Sequence, residues 1–156
     1  MTVAETIQFT TQQARIIAGV SPEAWRHWRK NLPYVQGKKG KAARFSIGEI
    51  VALCAVEEAV NTFGIRLTKL SDSFDQIFRT CAAMSPRKLR DYSLIIQPGE
   101  GTVTETSLVQ HLRKTAIIIP CAPIIDQVWK ATFHENSDGH QRNLPFPPSA
   151  VAGGPT

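Results

Sequence analysis

Six consecutive residues, Trp25–Lys30, carry two tryptophans, two arginines, a histidine and a lysine. The preceding Ser21 and Pro22 are typical of a helix start, because serine caps free N–H groups and proline suits the first helical position. At about 100° per residue, the three cations of this stretch share one face of the helix, and the two tryptophans share the adjacent face. Guanidinium and ammonium groups on one helix face suit the phosphates and base edges of a nucleic acid.

A second basic element follows within the same part of the chain. The stretch Gly37–Lys41 reads Gly-Lys-Lys-Gly-Lys, and two glycines among lysines are typical of the tip of a hairpin. We therefore expect Tyr34–Phe45 to form two short extended segments around this tip. Beside a basic helix, such a hairpin would lie along a nucleic-acid backbone or in its minor groove.

The charge of the chain is concentrated at one end. Residues 1–45 hold eight basic and two acidic residues, a net +6, whereas residues 46–156 hold ten basic and eleven acidic residues. A basic segment on an otherwise neutral chain indicates a polyanionic partner, nucleic acid first and an anionic membrane surface second.

Short helices are expected to position the basic residues. Thr10 or Thr11 can cap a first helix with apolar residues at helical spacing, and Gly19 supplies a turn before the second helix. Ser46 and Glu49 form a capping box that opens a third helix. A further helical pattern covers residues 68–84.

The amino-acid composition of the chain changes after residue 85, where segments rich in β-forming residues follow the helical patterns. Tyr92–Gln97 and Thr115–Ile119 are rich in β-forming residues, Val103–Val109 is either a second strand or irregular, and Pro123–Phe133 resembles a closing helix. The predicted class is α+β. The predicted divisions are a flexible arm over residues 1–8, a winged helix–turn–helix domain over 9–85, a small α+β dimerisation or effector unit over 86–134, and a disordered tail over 135–156.

Several residue groups occur in a fixed order between residues 9 and 72: Phe9-Thr10, Ala18–Pro22, Trp25–Trp28, Arg44–Ser46, Glu49-Ile50, Phe63–Ile65 and Leu67–Leu70. This order resembles the mercury-resistance regulator (MerR) family of winged helix–turn–helix DNA-binding proteins. The resemblance implies that Arg26 contacts DNA, that His27 and Trp28 occupy the aromatic-pair positions, and that Arg44 lies at the end of the wing. The family's long dimerisation helix and its metal-sensing cysteines have no counterpart here, so neither property is carried over.

The sequence predicts a double-stranded DNA-binding transcription regulator, a repressor or activator from a prokaryote or phage, that reads a specific sequence as a homodimer. Basic side chains would neutralise phosphates, and the start of the second helix would contact base edges. Of the two tryptophans, Trp25 is expected to pack inward and Trp28 to flank the DNA face. The predicted DNA-binding residues are Arg15, Ser21, Arg26, His27, Trp28, Arg29, Lys30, Lys38, Lys39, Lys41 and Arg44.

A homodimer would cover apolar strand edges in the second half of the chain. The residues expected to pair across two chains are Leu94, Ile95, Ile96, Ile117, Ile118 and Ile119. Three other functions stay open: a phage or mobile-element architectural factor, such as an excisionase-like protein or terminase small subunit; a regulator whose second half binds a small-molecule or protein effector; and a protein-interaction adaptor or antitoxin.

Catalytic, metal and membrane functions find little support in the sequence. The three cysteines lack metal-ligand spacing and are expected to be buried, reduced thiols. No nucleophile–base or paired-acid pattern indicates an enzyme, and no cofactor is expected. The sequence indicates no signal peptide and no apolar run of the ~20 residues that a membrane span needs, so we expect a cytoplasmic, nucleoid-associated protein.

Overall fold

A computed structural model describes residues 7–133 as an α+β fold with two small antiparallel sheets, which confirms the predicted class. In the first half, the elements in chain order are β1 (Gln8–Thr10), α1 (Thr11–Ala18), α2 (Pro22–Asn31), α3 (Pro33–Gln36), β2 (Arg44–Ser46) and α4 (Ile47–Glu57). A π-helical turn (Glu58–Thr62) and a 3₁₀ helix (Leu67–Leu70) follow. The second half contains α5 (Ser71–Ala82), α6 (Pro86–Leu89), β3 (Tyr92–Gln97), β4 (Glu100–Glu105), a 3₁₀ helix (Thr106–His111), β5 (Ile117–Pro120) and α7 (Cys121–Phe133).

The starts of the early helices follow from local capping chemistry, as predicted. The Thr10 side chain caps α1, and Gly19 ends it with a φ of 74°, a left-handed conformation that glycine adopts without steric cost. The Ser21 hydroxyl accepts the N–H of Ala24 at 3.1 Å and caps α2. Ser46 and Glu49 form the predicted capping box at the start of α4.

The predicted hairpin over Tyr34–Phe45 is wrong. Pro33 begins the short helix α3 over residues expected to be extended, because proline has the φ angle that a first helical position needs. Strand β2 pairs antiparallel with β1, with Phe9 opposite Phe45 and Gln8 opposite Ser46. Gln8 therefore belongs to a strand and not to the predicted arm, whose first six residues lie outside the described part of the chain.

The apolar strands expected to pair across two chains pair with each other within one chain, so β3 offers no open edge to a second copy. Within one chain, β3 is the central strand of the order β4-β3-β5, and both of its neighbours run antiparallel to it. The strands β3 and β5 cover each other's edges: Leu94 lies opposite Ile119, Ile95 opposite Ile118 and Ile96 opposite Ile117. All three of these residues of β3 are buried, whereas on the edge strand Ile119 is buried, Ile117 is half-buried and Ile118 is exposed.

One hydrophobic core extends from Phe9 to Val128. Helix α4 lies at its centre, because every residue from Ile47 to Val56 is buried. It packs against α1 and α5 and against α7, while α5 packs against β4 and β3. The predicted division after residue 85 therefore does not separate two cores, and the predicted tail over 135–156 lies outside the described residues. The prediction of buried free thiols is confirmed for Cys54, Cys81 and Cys121.

Candidate nucleic-acid interface

Helix α2 divides its side chains between the core and the solvent. Trp25, Trp28 and Leu32 lie at intervals of three and four residues, so they share one face and pack inward. The two indole rings are 6.4 Å apart, and Trp25 also packs edge-on against Phe45 at 5.9 Å. The inward position of Trp25 was predicted, but the expectation that Trp28 flanks a DNA face is wrong, because only 1% of its surface is exposed.

The exposed face of α2 borders a shallow, open depression of about 300 Å³. Its lining residues are Arg26, Arg29, Lys30, Gln36 and Lys39, which we call the basic depression. The chain turns at Leu32 and α3 packs against α2, so that Gln36 and Lys39 come back beside the helix. Four cations and one amide thus surround a space suited to an anionic group such as a phosphate.

The polar contacts on the exposed face of α2 are few and local. Arg26 lies 3.9 Å from Glu23, and about three quarters of each side chain is exposed, so this ion pair is weak. The Asn31 amide donates to the carbonyl oxygen of His27 at 2.8 Å and lies 3.2 Å from its Nδ1. Because these partners are exposed, an incoming ligand can compete with them at little cost.

Five of the predicted DNA-binding residues do not line the depression and make hydrogen bonds within the protein: Ser21 and His27 accept the bonds described above, whereas Arg15, Lys38 and Arg44 donate to backbone carbonyl oxygens. Arg15 Nη1 donates to the carbonyl oxygen of Val20 at 2.9 Å and so holds the turn between α1 and α2. Arg44 Nη1 donates to the carbonyl oxygens of Lys41 and Ala43, both at 2.8 Å. Lys38 Nζ donates to the carbonyl oxygen of Arg44 at 2.7 Å. The exposed Lys41 does not line the depression either, so the predicted cluster of three lysines is divided.

Glu49 is a buried carboxylate that sequence reasoning treated only as part of a helix cap. Its Oε1 accepts the N–H of Ser46 at 3.0 Å, as the capping box requires. Its Oε2 accepts the hydroxyl of Tyr34 at 2.7 Å and lies 2.6 Å from Lys38 Nζ. Burial of the phenol and its hydrogen bond to the Glu49 carboxylate both raise the pKa of Tyr34.

Gln36 is a lining residue that sequence reasoning missed. Nothing in the residue types around it distinguishes a glutamine in a loop from one at the rim of a basic surface. Its position follows from the formation of α3, which the hairpin prediction had excluded. A glutamine amide can donate and accept hydrogen bonds, so it adds a neutral polar group to a cationic rim.

Comparison with protein-family models, with curated proteins and with solved structures gave no match to this chain. Among residues 7–133, no helix is both long and apolar enough to span a membrane. The same part of the chain contains no cluster of three or more histidine, cysteine or acidic residues with the geometry to hold a metal ion.

Proposed function

We propose that this protein is a sequence-specific double-stranded DNA-binding transcription regulator that acts as a homodimer. The observation that carries the proposal is the convergence of Arg26, Arg29, Lys30 and Lys39 around one depression beside an exposed helix. Two separate segments, α2 and the residues after α3, contribute cations to the same surface, which is the arrangement that neutralises adjacent phosphates of a duplex.

The arrangement of the first two helices supports a helix–turn–helix mode of binding. A three-residue turn joins the capped helix α1 to the capped helix α2, and it begins with the left-handed Gly19 and ends with the N-cap Ser21. The second helix of such a pair enters the major groove with its first turns facing base edges. In this mode Arg26 and His27 read base edges, while Arg29, Lys30 and Lys39 contact phosphates.

The structure agrees with one feature of the resemblance to MerR-like regulators and differs in another. Phe9-Thr10 and Arg44-Phe45, two of the residue pairs that carry the resemblance, are partners in the β1–β2 pairing. This pairing gives the order strand, two helices and returning strand, and it brings the two ends of the helix pair together. It does not supply the family's two-stranded wing, because α3 takes the place of the first wing strand.

The proposal is tested by selecting binding sites from a random pool of duplex DNA. The parent protein should prefer the selected sequence over random duplex by roughly a thousandfold or more. Arg26→Ala should weaken binding to the selected site by about 1–3 kcal/mol and relax the preference at one position, as expected for a lost base contact. Fluorescence anisotropy at fixed salt measures both quantities.

Arg87→Ala is the matched control, because Arg87 is an exposed cation on α6 that does not line the depression. It should bind like the parent. If Arg26→Ala and Arg87→Ala bind alike, the proposed docking is wrong. A parent with no preference above random duplex contradicts the regulator and points to an architectural factor, which would bend DNA, or to a protein-interaction adaptor.

A further inference from the structure

Lys38 is enclosed by the protein although its neighbour Lys39 faces the basic depression. Its ammonium group lies 2.6 Å from Glu49 Oε2 and donates to the carbonyl oxygen of Arg44 at 2.7 Å. It also lies 5.1 Å from the ring centre of Phe45 and 5.8 Å from that of Tyr34, within range of cation–π attraction. Only 25% of the side chain is exposed.

The groups that hold Lys38 are themselves fixed to the core. The carboxylate of Glu49 is 6% exposed at the start of the central helix α4. The ring of Tyr34 stacks on Phe78 with centroids 5.2 Å apart, and the Tyr34 N–H donates to Asp75 Oδ1 at 2.8 Å. Both Phe78 and Asp75 belong to α5. The ion pair therefore connects the segment after α3 to two helices of the core.

The segment over residues 37–43 has few other contacts to fix it. It contains no helix or strand. Gly37 and Lys38 donate their N–H groups to the Pro33 and Val35 carbonyls of α3, both at 3.0 Å, and the Ala43 N–H donates to the Gly40 carbonyl at 3.3 Å. The Arg44 side chain adds its bonds to the Lys41 and Ala43 carbonyls. Gly40 has a φ of 79° and marks the turn. Because Lys38 and Lys39 are adjacent, a fixed Lys38 side chain restricts where Lys39 can lie.

We infer that Lys38 is a positioning residue: its ion pair with Glu49, supported by Tyr34, holds residues 37–43 so that Lys39 completes the basic depression. This inference rests on the proposed function and assigns Lys38 a different role from the phosphate contact that its sequence position suggested. A buried carboxylate that loses its cation is strongly disfavoured, so the ion pair resists exchange with a DNA phosphate.

Glu49→Gln separates the two roles of Lys38 because they predict opposite signs. Glutamine keeps the capping box through its amide oxygen, and its amide N–H group can donate to the Tyr34 hydroxyl oxygen, but it removes the charge that binds Lys38. If Lys38 is a positioning residue, affinity for duplex DNA falls about threefold to tenfold, as for one lost phosphate contact. Lys39→Ala then adds little further loss in the Glu49→Gln background. If Lys38 is itself a DNA ligand, the freed ammonium group binds DNA, and affinity rises.

Glu58→Gln is the matched control, since it removes one exposed negative charge from the π-helical turn after α4. It should not lower affinity, and a loss equal to that of Glu49→Gln would overturn the inference. Thermal unfolding shows whether each variant is folded at the assay temperature. If Glu49→Gln is unfolded at the assay temperature, Tyr34→Phe is used in its place. Tyr34→Phe removes one hydrogen bond to the Glu49 carboxylate and should also lower the affinity for duplex DNA.

Amide hydrogen exchange without DNA distinguishes failure of this inference from failure of the proposed function. In Glu49→Gln, the amides of Lys38 and Ala43 should exchange about tenfold faster than in the parent, while those of α2 stay unchanged. Unchanged exchange at both amides overturns the positioning role. If Glu49→Gln exchanges faster than the parent at these amides but the parent does not bind duplex DNA, the proposed function alone is overturned.

Discussion

Burial keeps the three cysteine side chains as neutral thiols. It raises the pKa of Cys54 and of Cys121 to about 12, and it raises the pKa of Cys81 further. At Cys54 the nearby carboxylates of Glu58 and Glu57 add to the effect of burial, because a negative charge disfavours a thiolate. None of these thiols is a reactive nucleophile at neutral pH, in agreement with a packing role for all three.

We expect the free energy of unfolding to fall at alkaline pH. In the unfolded chain the thiols titrate near pH 9.0, whereas in the folded protein they hold their protons to about pH 12 or beyond. The unfolded state therefore binds fewer protons above pH 9, so the stabilisation present below that pH is lost as the pH rises. Each thiol contributes a slope of up to about 1.4 kcal/mol per pH unit.

Urea unfolding between pH 7.5 and about pH 10.5 measures this slope. Cys81→Ala is the control: it lowers stability at all pH values because it leaves a cavity, but its slope above pH 9 should be smaller than that of the parent. A free energy of unfolding that stays constant to about pH 10.5 would show that the thiols are not held protonated by the fold.

Two adjacent lysines show how far the site could be predicted from sequence. Lys38 and Lys39 have the same side chain and almost the same local sequence, so residue types predict the same role for both. The difference arises because Glu49, eleven positions beyond Lys38, is buried within reach of one ammonium group and not of the other. By contrast, the shared face of Arg26, Arg29 and Lys30 follows from helical spacing and could be predicted.

The backbones of α4 and α5 approach each other closely at Gly48. A Cβ atom added at Gly48 would lie 2.1 Å from the carbonyl oxygen of Cys81 and 3.2 Å from that of Met84. Both atoms are backbone, so they cannot move aside without shifting the end of α5. Since α4 also carries Glu49, this contact fixes the start of the helix that holds the Lys38 side chain.

We expect Gly48→Ala to lower the free energy of unfolding by about 3 kcal/mol, because the added methyl group overlaps backbone atoms. Gly37→Ala is the matched control: its φ of −70° is an ordinary helical value, and its added Cβ would meet the Tyr34 carbonyl at 3.4 Å. It should change stability by less than about 0.5 kcal/mol. Equal losses in urea unfolding would contradict the close packing of α4 and α5.

Element boundaries were predictable where the chemistry is local. Thr10, Ser21 and Ser46 each cap the helix that follows them, and Tyr92–Gln97 is a strand with the predicted bounds. The strand partners of β1 and β5 were not predictable, because these two pairings join segments far apart in sequence. Gln8 pairs with Ser46, and β3 pairs with a strand that arrives after a 3₁₀ helix and a loop.

At the scale of the whole molecule, an uneven charge distribution is combined with one continuous core. The eight basic residues between Arg15 and Arg44 lie on or next to elements that pack against α4, α5 and the 3₁₀ helix Leu67–Leu70, all of which come from the nearly neutral remainder of the chain. The basic depression is thus a surface feature of a structure that both halves of the sequence build together. If the depression binds DNA, its cations should carry the salt dependence of binding.

The salt dependence of duplex binding tests this claim most directly. One variant replaces all four cations of the depression with alanine: Arg26, Arg29, Lys30 and Lys39. The matched variant replaces four exposed cations elsewhere: Arg87, Lys88, Arg113 and Lys114. Both variants lose the same net charge, so a general electrostatic effect changes them equally.

In a plot of log affinity against log salt concentration, the four substitutions in the depression should reduce the slope by about 2.7 units, because Arg29, Lys30 and Lys39 contact phosphates and each lost phosphate contact removes about 0.9. The matched variant should keep the slope of the parent to within about one unit. Equal reductions in the two variants, or an unchanged slope in the first, would contradict the proposal that the basic depression is the DNA-binding surface.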